Sequence, residues 1–293
     1  MPHLMGQLIF DGLAMGLVFV LLAAGLVLIM STTKILFLVY GAFYTIGAYG
    51  TWYSMNYLHF PYLPSLIIGI ALSAIISMLS YLLIFRRLQK AGGSGFIATL
   101  IAAMGLSMVL NQGGLLIYGT LSRSIPTIFP GNIYVLGVNI SIDKLVLIIL
   151  SIIITLSLFW VREKTFFGRA MRAVAFLEES ASLRGINAPL IYLLTIGLGC
   201  ALAGFAGGIL APSYGINPSM GNNVLWSVML MTMLGGMDSL PGAVLGGLVV
   251  GQILSFGQYY IGGSIQIYLF LIIGIILYFR PNGLLGHGID VGI

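Results

Sequence analysis

The chain has 293 residues, of which 59% are hydrophobic and only 6% charged, with a mean hydropathy of +1.10. Soluble domains carry about 25% charged residues, so this composition excludes a soluble protein and implies an all-α polytopic membrane protein with no extramembrane domain. The net charge of +5 is not a nucleic-acid signal, because the basic residues are scattered among loops at helix ends, and the lone Cys200 excludes an intrachain disulfide framework.

Apolar windows of about 20 residues mark membrane helices. In chain order they fall near 8–30, 36–54, 62–85, 96–118, 142–161, 189–211, 223–237, 243–260 and 266–280, or about 8–9 membrane helices in a single transmembrane domain, 1–293. Residues 1–7 hold no Lys or Arg, and no small-residue cleavage site follows the first apolar run. The N-terminus therefore reads as a first membrane helix and not as a secretory signal. Forty glycines, about twice the usual share, imply close helix packing and broken helices. The window 223–237 is short and runs into Gly235, Gly236, Asp238, Pro241 and Gly242. Those glycines and the proline read as a hinge or break, and the window as either a full or a half crossing.

Charge sets the orientation. Alternating the windows puts Lys34, Arg86, Arg87, Lys90, Arg162, Lys164, Arg169, Arg172, Arg184 and Arg280 on one side, against Arg123 and Lys144 on the other. Positive charge favours the cytoplasmic face, so the N-terminus is expected outside and the C-terminus in the cytoplasm. The outer segment Tyr118–Ser141, with Pro126, Pro130, Gly131 and Asn132, reads as an irregular loop.

The longest polar interval, Glu163 to Pro189, would face the cytoplasm and reads as two short helices. Glu178 and Glu179 stand where the second would begin, Arg184 in its last turn, Gly185 as its cap, and Pro189 at the first position of the next membrane helix. A structured cytoplasmic elbow in a membrane protein is a docking place.

Several chemistries are missing. Lys164-Thr165 follows Glu163 with no glycine-rich lead-in, so the chain has no phosphate-binding loop. His3, His59 and His287 lack a second ligand four residues on, so no metal site is expected. No Gly-x-Ser-x-Gly elbow or paired carboxylate marks an intramembrane enzyme. Acids are nearly missing from the apolar windows, with Asp11 near the outer end of the first and Asp238 in the Gly/Pro break, whereas ion-coupled carriers use mid-membrane carboxylates. The remaining polar groups there are uncharged: Tyr40, Tyr44, Thr45, Asn111, Gln112, Asn222, Asn223, Ser227, Thr232, Gln252 and Gln266. They bridge helices or line a path; the adjacent amides Asn111 and Gln112 cannot both face lipid comfortably.

Four segments carry a family resemblance. Gly168-Arg-Ala-Met-Arg-Ala-Val-Ala with Glu179-Ser-Ala-Ser-Leu-Arg-Gly-Ile-Asn187 resembles the coupling loop of branched-chain amino acid ABC importer permeases. Ala98 to Gln112, Leu234 to Gly247 and Arg280 to Gly286 are also similar to that family, in the same order, and the start resembles the shorter of its two permease types. The resemblance implies a type II ABC importer-like transmembrane domain in a bacterial or archaeal inner membrane. It implies a second permease (copy or paralogue), two cytoplasmic ATPases that hold ATP and Mg, and an extracytoplasmic substrate-binding protein. No cofactor is implied on this chain, and no nucleic-acid partner. The loop 163–188 would couple to an ATPase through Arg169, Arg172, Leu177, Glu178, Glu179, Ala181, Leu183, Arg184, Gly185 and Ile186. Candidate substrate-path residues are Tyr40, Tyr44, Asn111, Gln112, Asn222, Trp226, Ser227 and Met229, and Met229, Met231 and Met233 form either a hydrophobic gate or helix packing.

The chain also departs from that pattern. Phe37, Tyr40 and Ala42 stand where the family commonly has Asn, His and Glu, and Ser227 replaces a Lys. The expected substrate is a branched-chain or other hydrophobic amino acid. An aliphatic or aromatic carboxylate is the alternative, and an ATP-independent carrier a second one.

Overall fold

The computed structural model describes residues 2–89, 95–126, 131–135, 138–280 and 283–285. Long helices are α1 (Pro2–Thr33), α2 (Tyr40–Asn56), α3 (Tyr62–Ser80), α5 (Gly95–Tyr118) and α6 (Ile142–Lys164), with the short α4 (Arg86–Gln89) between α3 and α5. The elbow holds α7 (Phe166–Phe176) and α8 (Glu178–Leu183), after which come α9 (Ala188–Tyr214), α10 (Met220–Gly235), α11 (Leu240–Tyr260) and α12 (Ile265–Phe279). A π-helical turn, Tyr81–Phe85, joins α3 to α4. Helix α1 stops where Lys34 takes φ 55°, a left-handed geometry that a helix cannot continue.

Each apolar window of the sequence holds a helix. Six of them are long and apolar enough to cross a membrane: Met5–Thr33, Tyr62–Gln89, Ile97–Tyr118, Ile142–Lys164, Ala188–Tyr214 and Leu240–Tyr260. Helices α2, α10 and α12 have 17, 16 and 15 residues, short of the roughly 20 that a bilayer asks of an upright helix.

One expectation needs correction. The outer loop is not wholly irregular and the chain not strictly all-α. Asn132–Val135 (β1) pairs antiparallel with Val138–Ser141 (β2), with Tyr134 opposite Asn139. β-Branched residues on both arms favour an extended backbone, and the flanking Pro and Gly concealed this.

The described residues form two compact units. One comprises residues 28–126 and 157–226. Its core is α2, α3 and α9, which meet backbone to backbone: a Cβ on Gly47 would overlap the backbone of Gly204, and one on Gly207 would overlap the Tyr44 carbonyl. Hydrogen bonds to main-chain carbonyls lock the trio, from Tyr40 Oη to Gly199 (3.2 Å), Tyr62 Oη to Gly208 (3.1 Å) and Ser73 Oγ to Phe43 (2.6 Å). In a medium without water such bonds spare each polar group a cost of roughly several kcal/mol. Phe37 stacks on Phe43 and tilts against Phe85.

The other unit comprises residues 1–27, 127–156 and 227–293 in their described parts. Here α11 presents Gly242, Gly246, Gly247 and Gly251 to the backbones of α10 and α1. Gln252 Nε2 donates to the Ile9 carbonyl (3.1 Å) and Ser255 Oγ to that of Leu8 (2.7 Å), while Lys144 pairs with Asp11 at 2.6 Å.

Candidate coupling elbow and intramembrane polar groups

The elbow is built from its caps inward. Thr165 leaves the helix with φ −87° and ψ 160°, and its Oγ1 accepts from Gly168 N at 3.2 Å, an N-cap for α7. Gly168 sits against the main chain of Val161 and Arg162, where no side chain fits. Arg172 Nη1 donates to the Arg162 carbonyl and pairs with Glu163 at 3.4 Å, which folds α7 back on the end of α6. Helix α7 buries Ala170, Met171 and Val174 and leaves Phe166 and Phe176 exposed.

Extended Leu177 links α7 to α8. The second helix ends in a Schellman cap, with Gly185 N donating to Ser182 O (3.0 Å) and Ile186 N to Ala181 O (3.1 Å). Gly185 takes φ 81°, as its sequence position suggests, while Arg184 is the cap residue and not part of the last turn. Asn187 then caps α9, its Oδ1 accepting from Leu190 N at 3.3 Å, with Pro189 in the first turn.

The outer face of the elbow is apolar and open. Phe176 is 86% and Leu183 89% exposed. A groove of about 310 Å³ is lined by Ala173, Phe176, Leu177, Ser180, Ala181 and Arg184. Among the described residues, Arg169, Glu179 and Arg184 form no ion pair, so their charges stay available at this face. Three proposed docking residues are placed differently. Ala181 is buried on the inner side of α8 at the floor of the groove, Arg172 turns back to α6, and Glu178 Oε2 accepts from Tyr192 Oη at 3.0 Å.

The intramembrane polar groups divide in two. Tyr40 is fully buried with its hydroxyl on Gly199, and Tyr44 is buried beside it in the same helix packing. Both lie in the core of this unit, and Phe37 and Ala42 lie in that core too. Asn111 and Asn222, 111 residues apart, do meet: Asn111 Nδ2 donates to Asn222 Oδ1 at 3.1 Å and to Ser107 Oγ at 3.3 Å. Gln112 and Trp226 are exposed, Ser227 and Met231 are buried, and Met229 is half-buried.

The supposed hinge is a tight turn. Helix α10 ends at Gly235, Gly236 takes φ 106°, and Ser239 caps α11 by accepting from Gly242 N at 3.1 Å, with Pro241 in the first turn. Gly235 lies against Gly242 and Met231 against Gly246, so α10 and α11 run as an antiparallel hairpin. Leu284 N and Leu285 N donate to the carbonyls of Leu234 (2.7 Å) and Gly235 (3.2 Å), pinning the break from outside.

Comparison with known proteins now decides the family. The profile described as branched-chain amino acid transport system / permease component matches residues 8–279. The chain belongs to this family. It is 30% identical over 297 residues to the high-affinity branched-chain amino acid transport system permease protein BraD of Pseudomonas aeruginosa, across 97% of this chain and 96% of the relative. It is 28% identical over 294 residues to the permease proteins LivH of Salmonella typhimurium and of Escherichia coli strain K12, across 96% of this chain and 95% of each relative. No solved structure matches it.

In this permease, sequence reasoning overlooked Thr165, Asn187, Tyr192 and the pinning residues Leu284 and Leu285. Thr165 and Asn187 carry a signal, since each is a capping residue type placed before a helix start. Tyr192 carries none, because its partner lies 14 residues away across a turn.

Proposed function

We propose that this permease is the membrane subunit of an ATP-driven importer for branched-chain amino acids, with the relatives BraD and LivH as its functional counterparts. A second permease completes the pore, two cytoplasmic ATPases supply ATP hydrolysis, and an extracytoplasmic binding protein delivers the solute. The chain would sit in a type II arrangement, with nine crossings, its N-terminus outside and its C-terminus in the cytoplasm of a bacterial or archaeal cell.

The observation that carries this reading is the elbow. Capped at both ends and folded back on α6, it presents Phe176 and Leu183 in the open beside Arg184, an apolar patch with a charged rim that suits a protein groove. The two cations expected outside support the orientation, because both are locally compensated. Lys144 pairs with Asp11, and the Arg123 guanidinium lies 5.1 Å from the Trp52 ring centre.

For the solute, the amino acid reading is the favoured one. Phe37, Tyr40 and Ala42, where the chain departs from the family pattern, are buried in the core of their unit, which supports keeping the family's substrate. The Asn111–Asn222 pair and Gln112 offer neutral donors and acceptors that suit a zwitterion without trapping it by a full charge.

Co-expression with the neighbouring transport genes tests the assembly. An ATPase is expected to co-purify with wild type and to be lost from the Glu179→Lys, Leu183→Asp double variant. Vesicles that move leucine without any ATPase would sink the reading in favour of a carrier.

A further inference from the structure

The contact between Glu178 and Tyr192 has a mechanical consequence. Helix α8 has only six residues, far below the length at which a helix is stable alone. Its C-terminal end is joined to α9 through Gly185, Ile186 and Asn187. Gly185 stands at φ 81° with no heavy atom within 4 Å of where a Cβ would be, so no side chain braces the outer side of this joint, which is closed by its two cap hydrogen bonds. A push on Leu183 or Phe176 against this joint alone would swing α8 about Gly185 and move α9 less.

A second attachment removes that freedom. At the other end of α8, Glu178 Oε2 accepts from Tyr192 Oη at 3.0 Å, and Tyr192 lies in the second turn of α9. Tyr81, fully buried and first in the π-helical turn, lies within electrostatic reach of both Glu178 and Tyr192 and donates its own hydroxyl proton to Gln89 Oε1 at 3.1 Å. Such turns are rare inside helices and frequent at functional positions. Helix α9 is in turn seated on α2 and α3 by direct backbone contact and by the Tyr40 and Tyr62 hydrogen bonds. Packed glycine contacts of this kind do not shear readily.

We propose that the Glu178–Tyr192 hydrogen bond is the strut that turns displacement of the elbow into displacement of α9, with Glu178 a positioning residue that faces α9 and not the ATPase. The proposal rests on the importer reading. Without the strut an ATPase still docks and hydrolyses ATP, and less of its stroke reaches the helices.

The test uses the complete importer reconstituted in proteoliposomes, with Tyr192→Phe, Glu178→Ala, Glu178→Gln and the Glu178→Ala, Tyr192→Phe double variant. All four are expected to retain the ATPase. Tyr192→Phe and Glu178→Ala should lower the solute moved per ATP hydrolysed by about ten-fold, the size of losing one hydrogen bond to a charged group, and the double variant should be no worse than either. Glu178→Gln keeps an acceptor oxygen and should stay within about two-fold of wild type. An unchanged ratio in Tyr192→Phe would overturn the strut. So would loss of the ATPase from both Glu178 variants, which would make Glu178 a docking contact. If wild type binds no ATPase, the importer reading fails instead. Hydrogen exchange on the permease alone then still decides the strut: faster exchange over residues 178–187 in Tyr192→Phe supports it, and unchanged exchange removes it.

Discussion

Glycine does different work at different positions of this chain, and the difference is measurable. A Cβ on Gly47 would overlap the backbone of Gly204, and one on Gly204 would crowd Ser73, whereas nothing lies within 4 Å of a Cβ built on Gly105. Gly47→Leu is therefore expected to force α2 and α9 apart at a cost above about 3 kcal/mol. Gly105→Leu should leave the fold of the single chain intact. Thermal unfolding in detergent separates them; equal effects would mean that α2 and α9 do not meet as described. The count of glycines in the sequence told of close packing, yet it could not tell which glycines were in contact. Tyr40 shows the same limit from the other side. A polar ring in an apolar helix suits a channel wall or a buried hydrogen bond equally well, and only the position of the Gly199 carbonyl selects the second.

At the scale of elements, the elbow was the most legible part, because caps and charges are local signals. Glu178 at a helix start and Gly185 at its end act within one turn, so reading along the chain finds them. The β1–β2 hairpin was not legible, since its arms of four residues lack the alternation over longer stretches that marks a strand. The direction of α8's side chains was also hidden. Glu178 and Glu179 are neighbours of the same charge, but the first is held by Tyr192, and the second forms no ion pair among the described residues. The caps can be tested by themselves. Thr165→Ala removes the Oγ1 acceptor of Gly168 N and should cost about 1 kcal/mol locally. Faster hydrogen exchange over residues 166–176, with exchange in α9 unchanged, is the expected result. A change spread over both helices would mean that the elbow has no stability of its own to lose.

At the scale of the whole molecule, the short helices decide how many times the chain crosses. Helix α10, at 16 residues, covers about 24 Å at 1.5 Å per residue, against a hydrocarbon core of about 30 Å. It forms a hairpin with α11 whose turn is pinned by Leu284 and Leu285, so α10 and α11 are fixed to one another whichever side the turn occupies. If α10 crosses, Asp238 lies in the cytoplasm, Ile261 lies outside, and Arg280 returns to the cytoplasm with the other cations. If it does not, all three change sides and Arg280 is left against the positive-inside bias. Crossing is thus the expected state, with residues beyond the apolar core of α10 held by the packed turn. The lone Cys200 is buried, so a Cys200→Ala background is a mild change that gives a clean starting point. In it, Asp238→Cys should react with an impermeant maleimide only after the inner face is opened, and Ile261→Cys should react from outside in intact cells. Reversed labelling of the pair would reduce the crossings by one, and would place the α10–α11 turn on the face where solute enters.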